Sequence, residues 1–198
     1  KFESLIFLFI TAYVLVSLDL DLSIKNLFER INYSPVISSS SLYGNVYLEK
    51  FFINITDLGN SFWYFSIIIL SLIFLYINRR LRIYNIKYYD EKINLFLSAF
   101  VYLIVNGLVT QILKHIIGRP RPNHTDFESD LIFNFFTLES EFHSFPSGHS
   151  STIFMVCFIL CRLMPKIKYF LYFFAFIIAL SRVVVNAHFF TDIIAGII

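Results

Sequence analysis

Apolar residues along this chain come in long blocks rather than in the two-residue alternation of a half-buried strand. Six blocks can be marked: Ser4 to Leu18, Ser61 to Ile77, Leu95 to Ile117, Ser150 to Leu163, Tyr169 to about Val185, and Phe189 to Ile198. A helix needs about 20 mainly apolar residues to cross the hydrocarbon core of a bilayer. The blocks therefore predict an all-α, polytopic membrane protein with six transmembrane helices. The first and sixth blocks fall short of a full span, which is read as truncation at both ends: residue 1 is Lys, and residue 198 lies inside an apolar run. A re-entrant sixth segment is the alternative. The Leu5 to Leu18 run leads into Asp19 and Asp21 rather than a small-residue cleavage site, so no cleavable signal peptide is recognisable. Without internal repeats or low-complexity linkers, residues 1–198 read as a single integral-membrane domain.

Composition agrees with the pattern. The chain is 57% hydrophobic and 15% charged, against about 25% charge in an ordinary soluble domain. A net charge of +2 with no basic footprint gives no case for a nucleic-acid partner. Cys157 and Cys161 lie four residues apart in an apolar run with no further ligand types beside them, and are read as reduced packing residues.

The polar connections suggest an orientation. Arg79, Arg80, Arg82, Lys87 and Lys92 separate the second and third blocks, and Arg162, Lys166 and Lys168 separate the fourth and fifth. Positive loops favour the cytoplasm. Six spans put both basic loops, and both termini, on that side. The segments Asp19 to Asn60 and Gly118 to His149 then face outward. The first of these mixes Leu27, Phe28 and Phe51 to Ile53 with polar residues, as a short amphipathic segment at the interface would.

Three polar clusters interrupt the apolar pattern near that outer face. Lys114-His115-Ile116-Ile117-Gly118-Arg119-Pro120-Arg121-Pro122 ends the third block; its prolines cannot continue a helix, so cations are carried over a helix end. An interfacial anchor snorkelling to head groups is the bland alternative. Pro146-Ser147-Gly148-His149 directly precedes the fourth block, an arrangement that offers backbone N–H groups to an anion at a helix N-terminus, or serves as a plain turn and cap. The third cluster runs from Ser181-Arg182 to His188 and Asp192. Ionisable groups at membrane depth are costly and usually functional. The four-residue spacing of His188 and Asp192 predicts one helix face, on which the carboxylate would fix the imidazole tautomer. Together the clusters read as cations and N–H donors for a phosphoryl group, one oriented histidine and one free histidine. With no carboxylate pair suited to a metal beside them, a metal-independent mechanism is expected.

Lys-x6-Arg-Pro (Lys114 to Pro122), Pro-Ser-Gly-His (Pro146 to His149) and Ser-Arg-x5-His-x3-Asp (Ser181 to Asp192) resemble the three signature motifs of the type 2 phosphatidic acid phosphatase superfamily. Every signature position is present, in the family's order. The motifs occupy about 80 residues of the second half, and the six-span layout extends the resemblance over the chain. The resemblance implies a phosphatase that uses no cofactor. Within it His188 is the nucleophile that forms a phosphohistidine, Asp192 orients it, and His149 is the general acid and base. Lys114, Arg121, Ser147, Gly148 and Arg182 bind phosphate. Arg119 is weighed as a further phosphate contact, but the motif spacing favours Arg121; His115 is read as a helix-end cap, and His124 and His143 as surface residues.

The implied substrate is an outer-leaflet membrane lipid bearing a phosphate, and the implied setting a bacterial inner membrane with the active site facing the periplasm. No protein partner can be inferred. Among the family's substrates lipid A, cleaved at its 1-position, is favoured by analogy over undecaprenyl diphosphate, phosphatidylglycerol phosphate and phosphatidate. A vanadate-dependent haloperoxidase would share the anion pocket but is expected to be soluble, and a lipid binder or transporter could also keep charges within the membrane.

Overall fold

A computed structural model describes residues 20–33, 50–81, 85–124 and 133–198. The first apolar block, and the segments 34–49, 82–84 and 125–132 of the connections, lie outside the described residues. Those described are helical throughout, with no strand among them. The helices are α1 (Leu20–Tyr33), α2 (Ser61–Arg80), α3 (Ile86–Ile117), α4 (Gly148–Leu163), α5 (Lys168–Val184) and α6 (Phe190–Ile197), with a further helical stretch at 50–56.

Short polar side chains start the helices. Asn60 accepts the Phe62 N–H at 3.0 Å to open α2, and Asn85 accepts the Lys87 N–H at 3.0 Å to open α3. Both satisfy an N–H that has no partner inside the helix. The end of α3 is set by Gly118 in the left-handed region, φ 55°, whose N–H returns to the Lys114 carbonyl at 3.0 Å. A left-handed residue is needed there because the chain must reverse at once: Gly118 O accepts from Asn134 N at 2.8 Å.

Three helical stretches are long and apolar enough to cross a membrane, Ser61–Arg80, Ile86–Ile117 and Pro165–Val184, with mean hydropathy 1.8, 1.9 and 1.8. At 1.5 Å per residue, the 32 residues of α3 extend about 48 Å, enough to pass the hydrocarbon core and carry Lys87 and Lys92 beyond it. The fourth, Gly148–Leu163, is apolar but shorter. Only 6% of the most apolar window of α2 is covered by protein, and Phe62, Trp63, Ile67, Leu70 and Phe74 project outward from it. A large apolar surface of this kind belongs against lipid. This is a membrane protein.

Helix α4 is the hub, touching α2, α3, α5 and α6. Ile153 and Cys157 of α4 pack on Ala175 and Ile178 of α5 and on Ile55, and Ile68 of α2 packs on Ala99 and Leu103 of α3. Cys157 is buried and its thiol points to Leu171 O; it and Cys161 are free thiols. The amphipathic segment expected in the Asp19 to Asn60 stretch is present as α1. It lays Ile24 and Phe28 on Ala179, Val183 and Ile193, but it also buries two charged side chains, Asp21 and Lys25, against the protein.

The basic connections sit at one end of the helices, where Arg79 and Asp90 pair at 2.8 Å. The C-termini of α3 and α5 and the N-termini of α2, α4 and α6 gather at the other end. One expectation is corrected here. His188 and Asp192 do not share a helix face. Helix α5 stops at Val184, Asn186 takes φ 54°, and α6 begins at Phe190. Phe189, which follows His188 and caps α6, is extended at φ −75° and ψ 161°, so the two side chains meet across the start of α6.

A methyl group on Gly118 would lie 1.6 Å from Asn134 O. Gly118→Ala is therefore expected to destabilise the fold by about 2 kcal/mol or more, the left-handed penalty plus the clash. Gly107→Ala, with open space around it, should be neutral or stabilising by up to about 1 kcal/mol. Thermal unfolding of both variants in detergent checks the contrast.

Candidate active site

The gathered helix ends enclose a cavity of about 290 Å³. Six of the residues singled out in the sequence line it: Lys114, Arg121, Gly148, His149, Arg182 and His188. Asn60, Asn106, Thr110 and Gln111 add polar groups to the wall.

Each cation is fixed by backbone or hydroxyl oxygen. Lys114, in the last turn of α3, donates to His143 O at 3.0 Å. Its Nζ lies 4.0 Å from where a Cβ on Gly148 would stand, so the first and second clusters are neighbours. Arg121 leaves the turn after Gly118 with its N–H on Glu141 O at 2.8 Å and its Nε on Ser140 O at 3.1 Å. Arg182, in the last turn of α5, donates to Thr56 Oγ1 at 3.2 Å. Cations beside a helix C-terminus are favoured by the macrodipole, which suits Lys114 and Arg182. Gly148 opens α4, where backbone N–H groups lack helical partners and the dipole favours an anion.

Ser147 and Asp192 stand behind the cavity wall. Ser147 is fully buried, and its hydroxyl accepts the Ser150 N–H at 3.4 Å and the Ser150 hydroxyl at 3.0 Å. It caps α4. Its own N–H donates to Asp192 O at 2.9 Å. The Asp192 carboxylate is also fully buried and accepts the Ser144 hydroxyl at 2.5 Å, Arg119 Nη1 at 2.6 Å and the Phe189 N–H at 2.8 Å. His188 Nδ1 sits 3.6 Å from Asp192 Oδ2. That is charge contact just beyond hydrogen-bond length, and it leaves Nε2 as the ring nitrogen available to the cavity. Burial pushes the His188 imidazole down to about 4, although the adjacent Asp192 carboxylate opposes the shift. Burial thus favours the uncharged ring.

Arg119 is not a cavity residue. It is 1% exposed, donates to Thr191 Oγ1 at 2.6 Å and pairs with Asp21 at 2.7 Å and Asp192 at 2.6 Å. Its guanidinium also stacks 4.2 Å from the centre of the Phe189 ring. His115 Nδ1 lies 2.7 Å from Gln111 O on its own helix. His143, Nε2 3.1 Å from Thr137 O, contacts the His115 ring. The His124 side chain lies outside the described residues. Sequence reasoning missed Asp21, Thr56, Gly59, Ser144 and Thr191. Asp21 had a legible signal, an acid just past an apolar block; Gly59 had none, since its role is only to leave room beside His149.

Comparison with known proteins agrees with this geometry. The sequence profile of the PAP2 superfamily matches residues 95–198. The chain belongs to the PAP2 superfamily. It is 37% identical over 100 residues to a lipid A 1-phosphatase of Rhizobium etli, and 39% identical over 102 residues to one of Rhizobium johnstonii. Each match covers 50% of this chain, but 42% and 40% of those relatives, so the chain spans less than half their length. Among solved structures, a transmembrane PAP2-type phosphatidylglycerolphosphate phosphatase from Bacillus subtilis superposes with a TM-score of 0.56 at 23% identity, over 97% of this chain and 88% of that one. Aquifex aeolicus LpxE gives 0.54 at 24% identity, over 87% and 86%. At those identities the likeness is one of fold.

Two outcomes follow from the site's packing. A methyl group on Gly59 would stand 2.9 Å from His149 Cβ and 3.0 Å from Cδ2. Gly59→Ala should displace the imidazole and lower turnover roughly tenfold or more, as misplacement of an acid–base group does, with the melting temperature little changed. The pH rule concerns His188. Its ordinary value of 6.5 is lowered to about 4, so the uncharged form persists well below neutrality. In an NMR titration the His188 ring signals should therefore stay at their uncharged positions from pH 7 to pH 5.5. Protonation of the ring within that interval would mean that burial does not hold it neutral.

Proposed function

We propose that the cavity hydrolyses a phosphate from a membrane lipid through a phosphohistidine on His188. The observation that carries the reading is the convergence on one cavity of a buried neutral histidine backed by a carboxylate, a second histidine, and three cations from three different elements. His188 Nε2 attacks phosphorus, and the bond from phosphorus to the lipid oxygen breaks. His149 gives that oxygen its proton. His149 then takes a proton from water, which attacks phosphorus, breaks the N–P bond and releases phosphate. Lys114, Arg121, Arg182 and the Gly148 N–H stabilise the charge on the equatorial oxygens. Ser147 supports this group by setting the first turn of α4, and Asp192 by orienting His188. None of these roles calls on a metal ion.

Residues 1–198 constitute one integral-membrane phosphatase domain with six spans, in a bacterial inner membrane, with the cavity facing the periplasm. The position of Arg79, Arg80, Arg162, Lys166 and Lys168 at the helix ends remote from the cavity supports that orientation. The substrate is lipid A cleaved at its 1-position, supported by the identity of half of this chain to two lipid A 1-phosphatases.

Purified protein is to be offered lipid A, undecaprenyl diphosphate, phosphatidylglycerol phosphate and phosphatidate in micelles, with products separated by thin-layer chromatography. Loss of the 1-phosphate from lipid A is the expected result. His188→Ala should abolish turnover. His149→Ala should lower it by about 10²–10⁴-fold, the usual worth of acid–base help, while vanadate binding survives. Hydrolysis of none of the four lipids, or near-normal activity in His188→Ala, would overturn the reading.

A further inference from the structure

Behind His188 lies a buried group of three charges that the proposed mechanism does not use in full. Arg119 holds two carboxylates at once, Asp192 Oδ1 on Nη1 at 2.6 Å and Asp21 Oδ2 on Nη2 at 2.7 Å. All three side chains are at most 1% exposed. Asp21 also accepts the Thr191 N–H at 3.0 Å and the Thr191 hydroxyl. It comes from α1, which lies outside the segment 95–198 that matches the family profile.

Charge counting shows why the third member matters. Arg119 and Asp192 alone form a neutral pair, and a neutral pair offers little to a ring that must become positive as its Nε2 binds phosphorus. The cavity side makes this worse, because Lys114, Arg121 and Arg182 all face the same space. While the buried Lys25 of α1 directs its ammonium to Pro122 O at 2.8 Å, Asp21 returns the bridged group to a net charge of −1 (two carboxylates, one guanidinium). In a site of low dielectric, that unit charge acts on His188 with little screening. We propose that Asp21 is a positioning residue for the reaction. Arg119 bridges the two carboxylates, Ser144 and the Phe189 N–H hold Asp192 in place, and Asp21 cancels the charge that Arg119 would otherwise take from Asp192. The inference rests on the reading of His188 as nucleophile. It predicts that a residue of α1, remote in sequence from all three motifs, sets the rate of phosphoryl transfer without touching the substrate.

The test reads kcat and KM on lipid A micelles for the full chain and its Asp21→Asn and Asp21→Asn/Arg119→Gln variants, with His188→Ala as the blank. In Asp21→Asn, kcat should fall about tenfold to a hundredfold, less than the roughly 10⁴-fold loss when a triad carboxylate itself is neutralised. KM should stay within about twofold, since no phosphate ligand changes. The double variant restores the net charge of −1 and should recover at least about a third of the lost activity on a logarithmic scale. Wild-type activity in Asp21→Asn would overturn the inference, and so would a double variant no better than the single one, because an anchor for α1 gains nothing from losing Arg119 as well. If Asp21→Asn alone does not fold, the double variant decides. Turnover within about thirtyfold of the full chain supports charge balance, and a larger loss overturns it. Absence of turnover by the unmodified chain on this and every other lipid tested would instead remove the phosphatase reading itself.

Discussion

The Asp192 carboxylate organises this molecule. A buried carboxylate must be met by donors or it becomes unaffordable at membrane depth, and the donors here come from all three motif regions. Arg119 arrives from the turn after α3, Ser144 from the approach to α4, and the Phe189 N–H from the start of α6. The main chain of Asp192 adds a fourth tie, accepting Ser147 N–H. Satisfying one anion therefore brings three distant stretches of sequence to a single point. The catalytic geometry and the fold at that end of the bundle have the same physical cause.

The charges are also layered. Lys114, Arg121 and Arg182 stand on the cavity side of His188, and Asp192, Arg119 and Asp21 stand behind it. In the proposed reaction, cations in front attract a phosphate and a net negative charge behind favours the ring that becomes cationic. Reversing either layer would defeat the other. The cations are placed at the C-terminal ends of α3 and α5 and the anion-facing N–H groups at the N-terminal end of α4, each where the helix dipole assists. Helix direction alternates through the bundle, so one end of it naturally collects termini of both kinds.

Much of this was legible in the sequence, for identifiable reasons. Long apolar blocks can only be helices in lipid, so α2, α4 and α5 follow from the pattern within a few residues, whereas α3 begins at Ile86, well before the apolar block that starts at Leu95. The cavity residues are readable because charge inside apolar sequence is rare. Arg119 shows where such reading stops: it has the same type as Arg121 and lies two residues away, yet it turns inward to two carboxylates while Arg121 faces the cavity. Which arginine turns inward depends on the turn at Gly118 and on Asp21, about a hundred residues earlier, and neither is visible in local spacing. The one-helix reading of His188 and Asp192 failed for a related reason. A four-residue spacing fits a helix, but it also fits a turn that ends in an extended capping residue, here Phe189, followed by the first turn of a new helix.

That turn has a consequence for how the site is tuned. On a continuous helix, His188 would be fixed only by its own i−4 bond, and its distance from Arg182 would follow helical pitch. After Asn186, the amides of Ala187 and His188 both return to the Arg182 carbonyl, at 3.0 and 3.2 Å. One carbonyl therefore sets His188 against Arg182, while the Phe189 N–H on the Asp192 carboxylate sets the next peptide against Asp192. Five consecutive peptide units from Val185 to Phe189 carry bonds at both borders of the turn, so His188 has little freedom to retreat from the cavity. A ring held neutral by burial could drift toward the apolar core. Here the backbone prevents it, and the imidazole stays in the cavity beside three cations.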